Sequence, residues 1–367
     1  MTPCYVMPPA KDKRADVALR AWIEECGFTP AVTYRLSTKD TYHDTYDGRL
    51  SIAGFRLYFR HGENRWYLEK DGKTKFSQSG SISGPKKGGL KKKLHAFARK
   101  SEWIPLLHVL REEQVFESKA DPENQIKTIH FRYQDPFVDQ EPLQGPRLFV
   151  FHESGDIEHL LLSQLEGERK DTFDPLLEGL ALLNIVAPHR GRFSFEAVPS
   201  DPISLTLKKY LALQADVLTA HRRGGLLDLH VEFVHQLRVA TRRGRAVART
   251  LAPHIKDRRY RALARELKWL GNALGHVRDF DVLLPVIRRD LDKVNGPQAA
   301  KDFLMAAFEK RRAASLAEAQ SSLGSERFDR LIQALKEPDR LSSGKSSSGR
   351  KGKERALLAN KPTQELI

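Results

Sequence analysis

The chain has 367 residues, a formal net charge of +15 at pH 7 and an apolar fraction of 40%. This length predicts two domains, and the apolar fraction is enough to give each of them a core. No apolar run is long enough to span a membrane and the N-terminus has no signal-peptide segment, so we predict a cytoplasmic protein with no membrane partner. The chain has only two cysteines, so we predict no disulfide framework.

The first half of the chain is predicted to be a short helix followed by strands. Residues 13–27 have the apolar spacing of an amphipathic helix. From Val32 to Lys70 apolar and polar residues alternate, with turn signals at 46–48 and 61–64, and further strands are predicted at 126–134 and 146–153. The segment GPKKGGLKKKLHAFARK carries seven Lys or Arg and no acid, and is predicted to be a basic surface loop that enters a short helix.

Part of this strand region resembles the triphosphate tunnel metalloenzyme fold, also called CYTH. The residues that match its pattern are Tyr42, Asp44, Thr45, Leu50, Gly54, Leu57, Arg60 and Lys70. In that family antiparallel strands close into a tunnel, basic side chains inside it hold a triphosphate, and paired glutamates hold Mg²⁺ or Mn²⁺ for hydrolysis. The resemblance implies an antiparallel, tunnel-like domain over residues 1–185.

The residues that carry the chemistry of that family are incomplete in this chain. The N-terminus has no Glu-x-Glu-x-Lys strand, Tyr58 stands in place of a family arginine, and Glu153 is the only acid of the late strand RLFVFHES. Metal-assisted hydrolysis needs several carboxylates around one or two hard cations. We therefore predict no catalytic residue, no metal site and no cofactor. Mg²⁺ or Mn²⁺ would be needed only if the domain is active. A chain that begins upstream of Met1 could contain the missing acidic strand and would overturn this prediction.

Three basic residues of the strand region remain candidates for anion binding: Arg60, Lys70 and Arg132. Phosphate binding needs cations and hydrogen-bond donors but no metal ligands. The alternative is that all three face solvent from the strands. Glu63, Glu69 and Glu153 are the acids near them.

The second half of the chain is predicted to be helical. Residues 186–202 contain three prolines and are predicted to be a linker, and residues 203–338 have helical periodicity. Along the helix VHQLRVATRRGRAVARTL five basic residues fall within an arc of about 80°; they are His235, Arg238, Arg242, Arg245 and Arg249. The opposite side is apolar and contains Leu237, Ala240, Gly244, Val247, Ala248 and Leu251.

The next predicted helix repeats this pattern with a second row of basic residues. Its members are Arg258, Arg261, Arg265 and Lys268, opposite Leu263, Leu267, Leu270 and Leu274. Residues 222–289 hold 16 Lys and Arg against 6 Asp and Glu, so most of the net charge is here. Like charges stacked on one face destabilise an isolated helix. Two such rows indicate a long anion lying along both helices, and the alternative is two solvated faces.

The first basic helix and the later segment LKWLGNALGHVRDFDVLL resemble the conserved histidine α-helical domain, known as CHAD. The family pattern is His-x-x-Arg-x-x-x-Arg, followed by Leu-Gly-x-x-Arg-Asp-x-Asp-x-Leu-Leu. Each domain of this family consists of two similar four-helix bundles and binds inorganic polyphosphate in a basic groove. The resemblance implies ligand roles for His235, Arg238, Arg242, Arg245 and Lys268, whereas Arg249, Arg261 and Arg265 are added from their helical phase.

The resemblance covers residues 203–338 and contains one His-x-x-Arg-x-x-x-Arg helix, so we predict a half-unit. A second copy of the chain, forming a homodimer, is one way to complete it. Residues 339–367 are rich in Ser, Gly and Lys and are predicted to be a flexible basic tail. The acids of the second motif, Asp279 and Asp281, are predicted to pair with bases and to orient the bundle.

Three functions follow from these patterns. The first is an inorganic polyphosphate-binding protein, accessory to polyphosphate storage or metabolism and associated with polyphosphate granules. The second is a metal-dependent triphosphatase, against which the missing carboxylates argue. The third is a non-specific nucleic-acid-binding protein, which the pI of about 9.7 allows. Nucleic acid is disfavoured because no aromatic residues interleave the basic faces.

Overall fold

The computed structural model describes residues 4–7, 20–85, 88–98, 102–121, 125–151, 168–170, 172–186, 193–255 and 258–338. The chain divides into two compact units, residues 1–187 and 188–367, and each is described by itself. The first is built on an antiparallel sheet and the second on helices, which confirms the predicted α+β class. The predicted basic tail, residues 13–19 of the predicted first helix, and Glu153 lie outside the described residues.

The first unit contains a nine-stranded sheet in which all strand pairs are antiparallel. Its strands are β1 (Cys4–Met7), β2 (Phe28–Asp44), β3 (Phe55–Arg60), β4 (Arg65–Lys70), β5 (Lys73–Ser79), β6 (Ile104–Ser118), β7 (Gln125–Gln134), β8 (Leu143–Phe151) and β9 (Glu168–Lys170). Their spatial order is β5-β4-β3-β2-β6-β7-β8-β1-β9. Three helices accompany them: α1 (Arg49–Ile52), α2 (Gly89–Ala98) and α3 (Pro175–Leu182).

Each face of the sheet packs against helices because strand side chains alternate in direction. One face buries Tyr42, Leu107 and Tyr133 against Leu176 and Leu180 of α3, and is called the α3 face. The other face, called the α2 face, buries a second cluster that includes Leu90 and Leu94 of α2. The strand members of that cluster are Leu57, Phe59, Trp66 and Leu68.

The predicted strands between Val32 and Lys70 and at 126–134 and 146–153 correspond to β2, β3, β4, β7 and β8. The sequence did not predict β1, β5, β6 or β9. Strand β6 is central to the sheet and pairs with both β2 and β7. Its pattern is obscured because Glu113 points to the interior, where it is 3% exposed and pairs with Arg111 and Lys127.

The second unit contains five described helices around one core. They are α4 (Ile203–Leu226), α5 (Val231–Ile255), α6 (Arg258–Leu291), α7 (Gln298–Leu323) and α8 (Glu326–Lys336). The predicted apolar faces are confirmed, because Leu237 and Ala240 of α5 and Leu263, Leu267 and Leu270 of α6 are at most 1% exposed. None of the helices in the described residues is long and apolar enough to cross a membrane.

The core of the helical unit is confined to one end of α6 and α7. From Val282 to Glu318 the structure describes every residue, and none of them is buried. Apolar side chains are exposed in this stretch, and Phe303 is 78% exposed. Both predicted basic rows therefore lie on the packed part of the unit, where side-chain positions are fixed by burial of the opposite helix face.

Candidate functional site

Helices α5 and α6 approach each other closely because small residues face the neighbouring helix. A Cβ atom at Gly244 would lie 3.2 Å from Cδ1 of Leu267, and one at Gly271 would lie 3.3 Å from Oγ1 of Thr241. Both distances are tighter than ordinary van der Waals contact, so a larger side chain would push the helices apart. Close packing therefore places the two basic rows side by side.

Between these rows lies a surface cavity of about 600 Å³, called here the basic groove. Arg245 and Arg249 of α5 and Arg261, Arg265 and Lys268 of α6 line it. Ala248 and Ala264 complete the lining. The structure thus brings together five of the eight residues that the sequence predicted, including all three that were added from helical phase alone.

The cations of the basic groove have no acidic partner within the part of the chain that the structure describes. No carboxylate lines the cavity, and none of its five basic side chains takes part in an ion pair there. Because their positive charges are not compensated locally, their potentials add in the groove. Such a site attracts an anion and provides charge-assisted hydrogen-bond donors to it.

Arg238 lies outside the cavity lining and is held between the two helices. Its Nη1 donates to the carbonyl oxygen of Gly275 at 3.1 Å and to Oδ1 of Asp279 at 3.0 Å. The Arg238 side chain is still 40% exposed. It therefore fixes the contact between α5 and α6, while part of its guanidinium faces solvent.

His235 is half-buried one turn before Arg238 on α5. Burial is the main cause that lowers the pKa of His235, and the positive charges of Arg278, Arg242 and Arg238 lower this pKa further, while Glu232 raises it. The surroundings of His235 in the free protein therefore favour the neutral imidazole. A bound anion would favour the charged form and raise the pKa.

Arg242 is exposed and also lies outside the cavity lining. The sequence analysis gave no role at the site to Arg278, Ala248 or Ala264. Arg278 is the strongest charged influence on the pKa of His235, after burial. The two alanines follow Arg245 and Arg261 by three positions, and Ala248, which was predicted on the apolar side, lines the groove beside Arg245.

The acids predicted to be structural do pair with bases. Asp279 accepts from Arg238, and Oδ1 of Asp281 accepts from Nε of Arg312 at 2.8 Å. Arg312 also donates to both carboxylate oxygens of Asp228, at 2.8 Å each. These contacts tie α6 and α7 to the end of α4, outside the groove.

The three candidate residues of the sheet are not brought together. Arg60 donates from Nε and Nη2 to the two carboxylate oxygens of Asp40, at 2.9 Å each, on the α3 face. Lys70 pairs in register with Phe55 and lies over its ring, on the opposite face. Arg132 donates to Glu112 at 2.6 Å. Strand alternation separates Arg60 from Lys70, and carboxylates already neutralise Arg60 and Arg132.

Several residues of the CYTH-like pattern have structural roles. Asp44 accepts hydrogen bonds from the backbone N–H groups of Leu50 at 3.0 Å and Ser51 at 2.9 Å, and so fixes the start of α1. Glu69 accepts from the hydroxyl of Tyr58 at 2.6 Å. Glu63 accepts from Tyr67.

A Glu-x-Glu-x-Lys run does occur in the chain, at residues 166–170 rather than in the first strand. Glu168 and Lys170 belong to β9, at one edge of the sheet, where Lys170 lies 3.3 Å from Glu168. Glu166 lies outside the described residues. The parts of the chain that the structure describes contain no group of three or more His, Cys, Asp or Glu placed to hold a metal ion.

Comparison with known proteins bears on the helical unit that carries the groove. Residues 209–360 match the family described as CHAD domain. This CHAD match covers less than half of the chain and continues past residue 338, the predicted end of the helical region. No curated protein matches the chain.

Among solved structures, the CHAD domain from the plant Ricinus communis is similar at 21% sequence identity, with a TM-score of 0.34. The similarity covers 46% of this chain and 65% of that one, so the chain spans less than two thirds of the plant domain.

Proposed function

We propose that this protein binds inorganic polyphosphate along the basic groove of its CHAD region. The observation that carries the proposal is the convergence of five basic side chains from two helices on one cavity without an acid in its lining. Polyphosphate is a linear chain with about one charge per phosphate and no bases. It needs a row of cations and little else.

The two kinds of cation in the groove suit this ligand. Four arginines present planar guanidinium groups, which donate two parallel hydrogen bonds to neighbouring phosphate oxygens. Lys268 adds a compact ammonium that can follow a mobile chain. The rows run along helices, in which residues four positions apart are about 5–6 Å from each other. Successive phosphates of an extended polyanion would therefore meet successive basic groups.

His235, Arg238 and Arg242 are proposed to extend the site along α5 beyond the groove. The Arg238 side chain is 40% exposed although it donates to Asp279, and Arg242 is exposed. Polyphosphate lying there would favour the charged imidazolium of His235. Binding would then take up a proton, which makes His235 a ligand whose contribution depends on pH.

The groove is less suited to nucleic acid. Its lining contains two alanines and no aromatic ring on which a base could stack. Among the candidate residues of the sheet unit, Arg60 and Arg132 are bound to carboxylates and are therefore less available to an anion than the groove cations. We therefore propose a role in polyphosphate storage or metabolism in the cytoplasm.

The test is binding of labelled long-chain polyphosphate to the full chain at fixed salt, with duplex DNA and tripolyphosphate as competitors. We expect tight binding of polyphosphate, poor competition by DNA, and competition by tripolyphosphate only at much higher phosphate concentration, because a short anion reaches fewer cations. Equal competition by DNA would instead make the groove a general polyanion site and contradict the proposal.

A further inference from the structure

The helical unit contains a second surface whose chemistry is the opposite of that of the basic groove. It consists of the last turns of α6, the loop at 292–297 and most of α7, and these residues, 282–318, are called here the apolar hairpin. The large apolar side chains that it exposes are Val282, Leu283, Val286, Val294, Phe303 and Leu304. Phe303 alone leaves 78% of its surface accessible to water.

The two helices of the apolar hairpin run antiparallel and are joined by few strong contacts. Asp281 accepts from Arg312 at 2.8 Å where the hairpin leaves the core, and Nη2 of Arg288 lies 3.0 Å from Oε1 of Glu309 further along. The side chains of Arg288 and Glu309 are 66% and 52% exposed, and an ion pair so exposed contributes little stability. The apolar hairpin therefore depends on another surface for burial.

That surface is not supplied by the part of the chain that the structure describes. No residue from 282 to 318 is buried, although the same two helices bury Leu270, Leu274 and Val277 of α6 and Ala319 and Leu323 of α7 beside the core. A helix with an apolar side needs another element to cover that side. Apolar patches that stay exposed mark surfaces at which proteins interact.

The charges of the apolar hairpin indicate what kind of partner covers it. Residues 282–318 contain seven Lys and Arg and five Asp and Glu, whereas residues 235–268, which carry the basic rows, contain eleven and two. Two copies of the basic rows would repel each other. Two copies of the apolar hairpin would not, because charges of both signs in nearly equal number let the bases of one copy meet the acids of the other.

The size and shape of the apolar hairpin also fit a second copy. A standard interface between two proteins takes about 20–30 residues from each partner. The apolar hairpin has 37 residues, and all of them are at least partly exposed. Two antiparallel helix pairs related by a two-fold axis form a four-helix bundle, in which each pair covers the apolar side of the other.

We infer that the apolar hairpin is the surface through which two copies of this chain associate, with Phe303 and Leu304 as its buried anchors. The inference is independent of polyphosphate binding, because the apolar hairpin shares no residue with the lining of the basic groove. The resulting dimer carries two basic grooves, one from each copy.

The experiment is sedimentation equilibrium of the full chain over a range of concentrations at fixed salt and without polyphosphate. A reducing buffer prevents exposed Cys26 from forming a disulfide between copies. We expect the mass to rise with concentration towards twice the 41.8 kDa of the chain, with a dimer Kd of about 10 μM or below. Phe303→Glu should raise this Kd at least about 30-fold, because a charge replaces an aromatic anchor in a desolvated interface.

Leu205→Glu is the matched control, because Leu205 is 38% exposed on α4 and lies outside the apolar hairpin. It should dimerise as the unmodified chain does. Leu304→Glu is a second variant at a 40% exposed position and should also weaken the dimer, and circular dichroism should show the same helix content in all three variants. A chain that stays monomeric at about 100 μM, or a dimer that Phe303→Glu and Leu304→Glu leave intact, would overturn the inference.

Discussion

The basic residues that are candidates for anion binding have opposite surroundings in the two units of this protein. In the sheet unit, Arg60 is bound to Asp40 and Arg132 to Glu112. In the helical unit, the five cations of the basic groove have no ion-pair partner among the described residues. Both sets were predicted from the sequence as candidates for anion binding. The comparison shows that carboxylates neutralise two candidate cations of the sheet, whereas the five groove cations have no carboxylate in the lining of their cavity.

The energetic reason for this difference is desolvation. Arg60 and Asp40 are largely buried, with side chains 16% and 6% exposed, and a charge in such a place needs a partner. Helix α5 instead turns its basic row to the surface, so water and a mobile anion can compensate the charges. In the free protein the cations of the groove repel one another, and an anionic ligand relieves that repulsion.

The largest effect is expected from reversing groove charges. The double variant Arg245→Glu/Arg265→Glu should weaken polyphosphate binding at least about 100-fold, since each lost charge-assisted contact costs about 1.5–3 kcal/mol and two repulsive charges are added. Equilibrium binding at fixed salt measures this.

The matched control is Arg243→Glu/Arg311→Glu, which makes the same change in net charge at exposed positions outside the groove. It should weaken binding much less. Equal losses in the two double variants would mean that only net charge matters, and the two regions would not differ as proposed.

The second prediction concerns the paired cation of the sheet. Asp40→Asn removes the closer of the two carboxylates beside Arg60, the other being Glu63 at 3.4 Å, and should lower the free energy of unfolding by about 3 kcal/mol, because a largely buried guanidinium loses its bidentate partner. Denaturant unfolding measures the change. Polyphosphate affinity should stay the same, and a change in that affinity would place the sheet in the binding site.

The third prediction uses salt to count groove contacts. By analogy with nucleic acids, the logarithm of the binding constant should fall linearly with the logarithm of the salt concentration. Lys268→Gln should reduce the slope by about 1, because one fewer counterion is released. Lys293→Gln, at an exposed position just after the end of α6 and outside the groove, should leave the slope as it is. An identical slope for Lys268→Gln and the unmodified chain would remove Lys268 from the site.

The smallest effect is expected from His235. Its pKa is lowered in the free protein, and a polyanion raises it, so binding takes up a proton and strengthens as pH falls. We expect affinity to rise a few-fold, about 1 kcal/mol, between pH 8 and pH 5.5. His235→Gln should flatten this dependence. A profile that His235→Gln leaves unaltered would show that other groups titrate.

The sequence was sufficient to predict the helical site because its signal is local. The basic and apolar residues of α5 and α6 repeat with helical periodicity, so each face could be assigned without knowing what packs beside it. Arg249, Arg261 and Arg265, placed by phase alone, line the groove with Arg245 and Lys268, whereas the motif residues lie outside its lining; these are His235, Arg238 and Arg242.

The sheet could be predicted only in part, because its decisive contacts are distant in sequence. Arg60 donates a hydrogen bond to Asp40, which is 20 positions away in the sequence, and Arg56 donates one to Asp174, which is 118 positions away. Strand β6 was not predicted because charged residues interrupt its alternating pattern. Glu113 points to the interior and pairs there with Arg111 and Lys127, at a position where an apolar residue was expected.

Hydrogen–deuterium exchange of the full chain with and without long-chain polyphosphate tests the central claim most directly, because it locates the bound anion. Ligand binding to the folded state suppresses local opening where the contacts are made. We predict slower exchange in residues 242–255 and 258–268, and no change in β3, β4 or β7. Protection of those strands, with none in α5 and α6, would contradict the account.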